Sequence, residues 1–171
     1  MQCQPSLLRL VNHIPFPSIS ERKGHGGAPP RTVIVNCCDP RCVHEEYFNL
    51  KAGIVVVQRN AGGNIRHGLR DILILVTLVK LNEIAIVHHT DCGTMCFTDK
   101  QLRSALKEQF GEAHWAEIEK IDFGATLGVK ESVKEDLKWV HKKPLLRDAL
   151  TEATQGFVFD LKTGKVEKVE D

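Results

Sequence analysis

Three short runs of apolar, mostly β-branched residues predict buried strands at residues 32–36, 54–57 and 84–88. Apolar runs without polar alternation are typical of parallel strands that are covered on both faces. Between the second and third runs, apolar residues recur at helical spacing over 65–81, which predicts a mostly buried helix. A strand, a helix and a strand in this order predict an α/β fold with a parallel sheet.

Further elements follow along the chain. A capping-box pattern at 98–101 opens a helix that ends near Phe110, and residues 129–141 have helical spacing. Residues 157–161 and 166–169 read as two final strands.

The first 30 residues lack such a pattern, because proline and glycine interrupt them. We therefore expect an N-terminal arm at 1–30 and a single α/β domain at 31–171. Apolar residues at 7–11 could form a short helix in the arm that docks on a neighbour.

Composition narrows the class of protein. Of 171 residues, 42% are hydrophobic and 26% are charged, and the net charge is +1. Such a chain lacks the excess positive charge of nucleic-acid binders and of polybasic membrane anchors. The longest apolar run, 72–79, is too short for a membrane span of about 20 residues. No secretory signal is evident at residues 1–9, so we expect a cytoplasmic protein whose clustered cysteines bind metal or perform chemistry.

Polar residues concentrate directly after the three predicted strands, at 36–42, 58–64 and 88–93. The carboxyl ends of parallel strands lie at one edge of a sheet, and ligands bind outside that edge. The three polar segments therefore define a candidate site.

Two cysteines and a histidine could hold a metal ion at this edge. His89-x-x-Cys92 places an imidazole and a thiolate in one turn, and Cys37 or Cys38 can add a second thiolate. Three protein ligands and one open position are typical of catalytic zinc, which thiolates favour over magnesium or calcium.

Asp39 and Arg41 are two residues apart, so an extended segment directs them to the same side. A carboxylate held by a guanidinium stays ionised, and Asp39 could then orient a metal-bound water or occupy the open coordination position. The simpler interpretation of this pair is a salt bridge at a strand end.

The order Cys37-x-Asp39-x-Arg41 and then His89-x-x-Cys92 resembles the β-class carbonic anhydrases. Residues 89–93 are most similar to the short microbial branch that also contains carbonyl sulfide (COS) and carbon disulfide (CS2) hydrolases, and residues 59–63 fit the family as well. The resemblance implies Zn²⁺ held by Cys37, His89 and Cys92, with Asp39 and Arg41 beside it. It also implies a largely parallel four-stranded sheet flanked by helices, and a homodimer or homotetramer.

The activity that the resemblance implies is zinc-dependent addition of hydroxide to a small linear heterocumulene. Hydration of CO2 to bicarbonate, a lyase reaction, is the leading hypothesis. Hydrolysis of COS or CS2 with release of hydrogen sulfide is the alternative, and the ligand set does not separate the two. Cys38 and Pro40 depart from the family pattern; neither change removes a ligand that the resemblance implies, but both reshape the wall around Asp39. A non-catalytic zinc-binding assembly protein and a thiol redox module of Cys37, Cys38 and Cys42 are more remote hypotheses.

Other residues near the motifs receive structural interpretations. We expect Cys42 and Cys96 to be small buried hydrophobic residues, and Cys38 to point into the core because side chains alternate along a strand. His88, next to His89, is expected to be packed or hydrogen-bonded. Backbone N–H groups near Gly62 or Gly93 could stabilise a developing oxyanion.

Overall fold

The computed structural model describes residues 30–51, 53–125 and 128–170. The predicted arm at 1–30 therefore lies, except for its last residue, outside the described residues. Within the described ranges, no helix combines the length and apolar content that a membrane crossing requires.

A five-stranded sheet forms the centre of the molecule, in the order β2-β1-β3-β4-β5. The first four strands pair in parallel, as an α/β fold requires, and β5 pairs antiparallel with β4. The resemblance implies a largely parallel four-stranded sheet, whereas the structure has five strands: four parallel strands and an antiparallel edge strand, β5, where the pattern at 166–169 predicts a final strand. The strand bounds are β1 Thr32–Cys37, β2 Val56–Asn60, β3 Glu83–His89, β4 Thr154–Asp160 and β5 Lys165–Val169.

Six α-helices and several 3₁₀ turns connect these strands in the described ranges. The predicted helix at 65–81 begins as a 3₁₀ turn at Ile65–Gly68 and continues as an α-helix only to Leu78. The capping box at Thr98 is confirmed, with the reciprocal bonds to Gln101. The helix bounds are α1 His44–Tyr47, α2 Leu69–Leu78, α3 Asp99–Phe110, α4 Trp115–Ile118, α5 Val129–His141 and α6 Asp148–Glu152.

Alternate residues of the strands pack into two apolar clusters, one on each face of the sheet. On one face, Val33 and Ile86 pack with Ile72 of α2 and Leu137 of α5. On the other face, Ile34, Val87 and Phe159 pack with the aromatic rings of Tyr47 and Phe48. Burial on both faces explains why the strands are continuously apolar. It also holds β1 and β3 side by side, so that their carboxyl ends open at one place.

Candidate metal centre

The three predicted ligands meet where β1 and β3 end. Cys37 is the last residue of β1, His89 is the last residue of β3, and Cys92 lies in the turn that follows. Because the two strands are parallel neighbours, their last side chains reach the same edge of the sheet. The ligand atoms of Cys37, His89 and Cys92 all lie within 4.8 Å of one another, and the three residues are buried.

Hydrogen bonds surround the two sulfur atoms. The sulfurs of Cys37 and Cys92 are 3.9 Å apart. The backbone N–H groups of Asp39 and Gly62 donate to Cys37 Sγ over 3.4 and 3.3 Å. The Thr94 hydroxyl lies 3.1 Å from Cys92 Sγ. The hydrogen bond between the sulfurs lowers the pKa of Cys37 to about 6, and the same contact raises the pKa of Cys92 to about 11. These contacts favour the thiolate form of Cys37 over that of Cys92.

The histidine completes a donor set that suits a soft divalent cation. His89 Nδ1 lies 2.9 Å from the carbonyl oxygen of Thr90, so Nδ1 carries the proton and Nε2 has a free lone pair. Nε2 is buried without a hydrogen-bond partner among the described residues. An unpartnered nitrogen beside two sulfurs is costly in a protein interior, unless a metal ion binds there. Two sulfurs and one imidazole nitrogen fit zinc.

Asp39 and Arg41 form the predicted pair. Asp39 Oδ1 accepts hydrogen bonds from the Arg41 backbone N–H at 2.9 Å and from Nε at 3.0 Å, and Oδ2 accepts from Nη2 at 2.7 Å. These bonds and the guanidinium charge hold the pKa of the Asp39 carboxyl well below its usual range. Arg41 also donates to the carboxylate of Asp91 at 2.8 Å and to its carbonyl at 3.1 Å. One guanidinium therefore ties the segment after β1 to the turn after β3.

Arg59 is a supporting residue to which the sequence analysis gave no role, although it begins the segment 59–63 that fits the family. Its Nε donates to the carbonyl of Cys37 at 3.1 Å, and its Nη2 donates to the carbonyls of Asp39 at 2.7 Å and Cys42 at 3.0 Å. The position of Arg59 at the end of β2, beside Asn36 of β1, was the available signal. Its guanidinium fixes the backbone of the whole turn that carries the candidate ligand and carboxylate.

Comparison with known proteins agrees with this geometry. The sequence profile of the carbonic anhydrase family matches residues 32–166, which is most of the chain. The curated "Beta-carbonic anhydrase 1" of Mycobacterium tuberculosis (strain H37Rv) is 30% identical over 164 residues, covering 94% of each chain. The chain belongs to the β-carbonic anhydrase family.

Solved structures support the family at the level of the fold. The carbonic anhydrase from Glaciozyma antarctica superposes with a TM-score of 0.77 at 28% identity, covering 90% of this chain and 96% of the other. A carbon disulfide hydrolase superposes with a TM-score of 0.69 at 22% identity, covering 89% and 85%. The latter likeness shows the fold alone.

A small pocket opens beside His89 and Cys92, two of the three candidate ligand residues. Its volume is about 20 Å³, close to the roughly 10–15 Å³ that one water molecule needs on the same measure. Much of its wall comes from segments that no motif marks, because they are distant in sequence. The lining residues are Ala61, Gly62, Asn64, His88, His89, Cys92, Thr94, Met95, Phe123, Gly124, Ser132 and Asp136.

The structure corrects the expectations for two residues near the motifs, Cys38 and Cys96, and confirms those for Cys42 and His88. Cys38 is exposed rather than directed into the core, because β1 ends at Cys37 and strand alternation no longer applies. Cys96 is also exposed, in a 3₁₀ turn. Cys42 is buried as predicted, and His88 is packed and hydrogen-bonded as predicted. The Gly62 N–H, considered as an oxyanion donor, instead donates to Cys37 Sγ.

Proposed function

We propose that this chain catalyses the zinc-dependent, reversible hydration of CO2 to bicarbonate. The observation that carries the proposal is the buried group of two sulfurs and one unpartnered imidazole nitrogen, which lies beside a carboxylate fixed by a guanidinium. Membership of the β-carbonic anhydrase family supports the same reaction.

Cys37, His89 and Cys92 would hold the zinc ion. When bound, zinc supplies a nucleophile near neutral pH because, as in carbonic anhydrases generally, it lowers the pKa of water from ~15.7 to about 7. The N–H groups of Asp39 and Gly62 stabilise the Cys37 sulfur as a thiolate, the form in which cysteine binds metal, and the Thr94 hydroxyl lies within hydrogen-bond distance of the Cys92 sulfur. The Thr90 carbonyl keeps the His89 proton on Nδ1, so that Nε2 remains available as a ligand atom.

Asp39 would orient the nucleophile. Its Oδ1 accepts two hydrogen bonds from Arg41, whereas Oδ2 accepts one and retains a lone pair. We assign to Oδ2 the hydrogen bond from the O–H group of the attacking oxygen. That bond would direct the oxygen lone pair towards the carbon of CO2. Attack forms one C–O bond and breaks one C=O π bond, which gives bicarbonate, and the water proton passes to solvent.

The size of the pocket supports a substrate of very few atoms. A volume of about 20 Å³, close to what one water molecule needs on the same measure, favours a substrate of very few atoms over an ester or a peptide. Met95 and Phe123 supply apolar walls, which suit an uncharged substrate better than an ionic one.

A side-by-side assay tests the proposed function. Purified protein should contain roughly one zinc ion per chain, and stopped-flow measurement should show CO2 hydration well above the buffer rate. The Cys92→Ala variant is the matched control, since it removes one ligand and leaves Asp39 and Arg41 intact. Sulfide release from COS and CS2 is measured in parallel. Faster turnover of either sulfur compound than of CO2 would overturn the assigned substrate, and zinc without any turnover would favour the assembly-protein hypothesis.

We also propose that the protein acts in the cytoplasm as a homodimer or homotetramer. An apolar groove on one face of the sheet supports association, because Phe48, Leu50, Val55 and Phe157 line it. Ile54 next to it is 51% exposed. Sedimentation velocity across a range of protein concentrations tests the assembly, and a strictly monomeric species would contradict it.

A further inference from the structure

A buried polar cluster lies behind the metal centre, and the proposed reaction does not use it. It consists of His88 on β3, Ser132 and Asp136 on α5, and Arg66 in the turn before α2. His88, Ser132 and Asp136 are 6%, 6% and 1% exposed. All three line the same small pocket as His89 and Cys92. Buried polar groups are costly unless they are paired, so this cluster requires a physical reason.

His88 is held at both ring nitrogens. Nδ1 lies 2.6 Å from Ser132 Oγ. Nε2 faces the carbonyl oxygen of Gly63 at 3.2 Å and Asp136 Oδ2 at 3.3 Å. Both groups opposite Nε2 are acceptors, so Nε2 carries a proton and donates it. Helix α5 therefore fixes the ring, and the ring fixes the carbonyl of Gly63.

The carbonyl that His88 holds belongs to the turn that contacts Cys37. In that turn, the N–H of Gly62 donates to Cys37 Sγ over 3.3 Å. A few residues later, the N–H of Ile65 donates to Asp136 Oδ2 over 3.3 Å, and Arg66 Nε donates to Oδ1 over 3.2 Å. His88 and Asp136 thus form hydrogen bonds with the turn, while its Gly62 N–H donates to the Cys37 sulfur. A shift of Gly63 would move the adjacent Gly62 N–H away from Cys37.

We propose that His88 is a positioning residue for the metal centre, which holds the Gly63 carbonyl so that the Gly62 N–H donates to the Cys37 sulfur. The proposal rests on the proposed function, in that Cys37 is taken as a zinc ligand. An N–H donor withdraws electron density from a thiolate and fixes its direction. Residues that support ligands in this way typically contribute ten- to one-hundredfold to metal affinity.

Two variants of His88 test the roles of its two ring nitrogens separately. In His88→Gln, the side-chain amide nitrogen reaches the position of Nε2 and can still donate to the Gly63 carbonyl. In His88→Asn, the amide reaches only the position of Nδ1, near Ser132. We expect His88→Asn to lose about ten- to one-hundredfold in zinc affinity, and His88→Gln to stay within a few-fold of wild type.

Two readouts that do not depend on turnover test this expectation. Zinc affinity is measured by competition with a chromogenic chelator. Co²⁺ is then bound in place of zinc, and the sulfur-to-cobalt charge-transfer band reports the hydrogen bonding of the thiolates. The band should shift in His88→Asn and remain near the wild-type position in His88→Gln. A merely structural role would lower thermal stability without moving this band.

The outcomes distinguish this inference from the proposed function. Wild-type affinity and an unshifted band in a folded His88→Asn protein overturn the positioning role and leave the proposed function intact. Failure of the wild type itself to bind zinc or Co²⁺ overturns both. If His88→Asn does not fold, His88→Leu replaces it, because leucine has no donor at the position of Nε2. A shifted band in His88→Leu supports the role, and an unshifted band overturns it.

Discussion

Cys37 and Cys42 are two buried cysteines of one segment, and they differ in the hydrogen bonds that their sulfur atoms make. Cys37 and Cys42 are 4% and 2% exposed and belong to the same apolar cluster. Cys37 Sγ accepts two backbone hydrogen bonds and lies 3.9 Å from Cys92 Sγ. For the sulfur of Cys42, the described residues provide no hydrogen-bond donor.

The pKa values of the two thiols follow from these contacts. The hydrogen bond with Cys92 lowers the pKa of Cys37 to about 6, and burial raises the pKa of Cys42 to about 12. Burial alone disfavours the thiolate of Cys42, whereas the hydrogen bond with Cys92 and the two backbone N–H donors favour the thiolate of Cys37, the form that binds a cation. The hydrogen-bond partners of a sulfur therefore identify a candidate ligand better than its exposure does.

The largest expected effect comes from making the same substitution at both positions. Cys37→Ala should abolish zinc binding and CO2 hydration, because it removes one of the three proposed protein ligands. Cys42→Ala should retain both and lose about 1 kcal/mol of stability, as is common for a buried substitution. Metal analysis after gel filtration and stopped-flow assays measure the two outcomes. Stoichiometric zinc in Cys37→Ala, or its loss in Cys42→Ala, would reverse the assignment.

The next largest effect is expected at Asp39, in the same turn as Cys37, where a substitution should impair catalysis without impairing metal binding. Asp39→Asn keeps the shape of the side chain but removes the charge that Arg41 holds. We expect a full complement of zinc and a loss in hydration rate of at least about 10²-fold, in the range of acid–base groups.

Asp91→Asn is the matched control for Asp39→Asn. Its carboxylate also pairs with Arg41, but its side chain is 81% exposed. A charge pair in such an exposed position contributes little, so we expect a change in rate of less than about tenfold. Equal rate losses in the two variants would contradict the specific role of Asp39.

The sequence was sufficient to predict the ends of the strands that carry the ligand residues. The run that begins at Thr32 and the run that ends at His88 identify β1 and β3, and two short motifs place Cys37, His89 and Cys92 at their carboxyl ends. The spacing left the choice between Cys37 and Cys38 open, and the resemblance to the family selected Cys37, which the adjacent parallel strands bring together with His89 and Cys92. The pairing of Asp39 with Arg41 follows equally from a separation of two residues.

Other features of the fold and the pocket depend on contacts with residues distant in sequence, which the pattern of a single segment does not show. The apolar run at 54–57 predicts β2 too early, because pairing with β1 selects Val56–Asn60 and leaves Ile54 outside. The exposure of Cys38 depends on the residue at which β1 ends. Phe123 reaches the pocket from a segment without a motif. In each case a contact distant in sequence decides the outcome.

A third prediction tests whether the backbone around Cys37 is as closely packed as the sulfur contacts imply. Gly63 has φ +72, and a Cβ there would lie 3.0 Å from backbone atoms of Asn36, Cys37 and Val87. Gly63→Ala should therefore lower the free energy of unfolding by about 2–3 kcal/mol, from backbone strain plus overpacking. Gly164→Ala provides the control, since Gly164 has φ +71 with no atom within 4 Å of the added Cβ. It should cost about 1 kcal/mol, and an equal cost in both variants would show that Gly63 is not closely packed.

The smallest effect concerns the ionisation of Cys37 and Cys42 in metal-free protein. With the pKa of Cys37 lowered from its ordinary value of 9.0 to about 6, its contribution to stability is present above pH about 9 and is lost as pH falls through about 6. With the pKa of Cys42 raised to about 12, its contribution has the opposite sign: it is present below pH about 9 and is lost as pH rises through about 12.

The ultraviolet absorbance of thiolates should show one ionisation near pH 6. That step should be absent from Cys37→Ala and retained in Cys42→Ala, because only Cys37 has the hydrogen bond with Cys92 and the two N–H donors that stabilise its thiolate. A first ionisation near pH 9 in the wild type would mean that these contacts do not distinguish the two sulfurs.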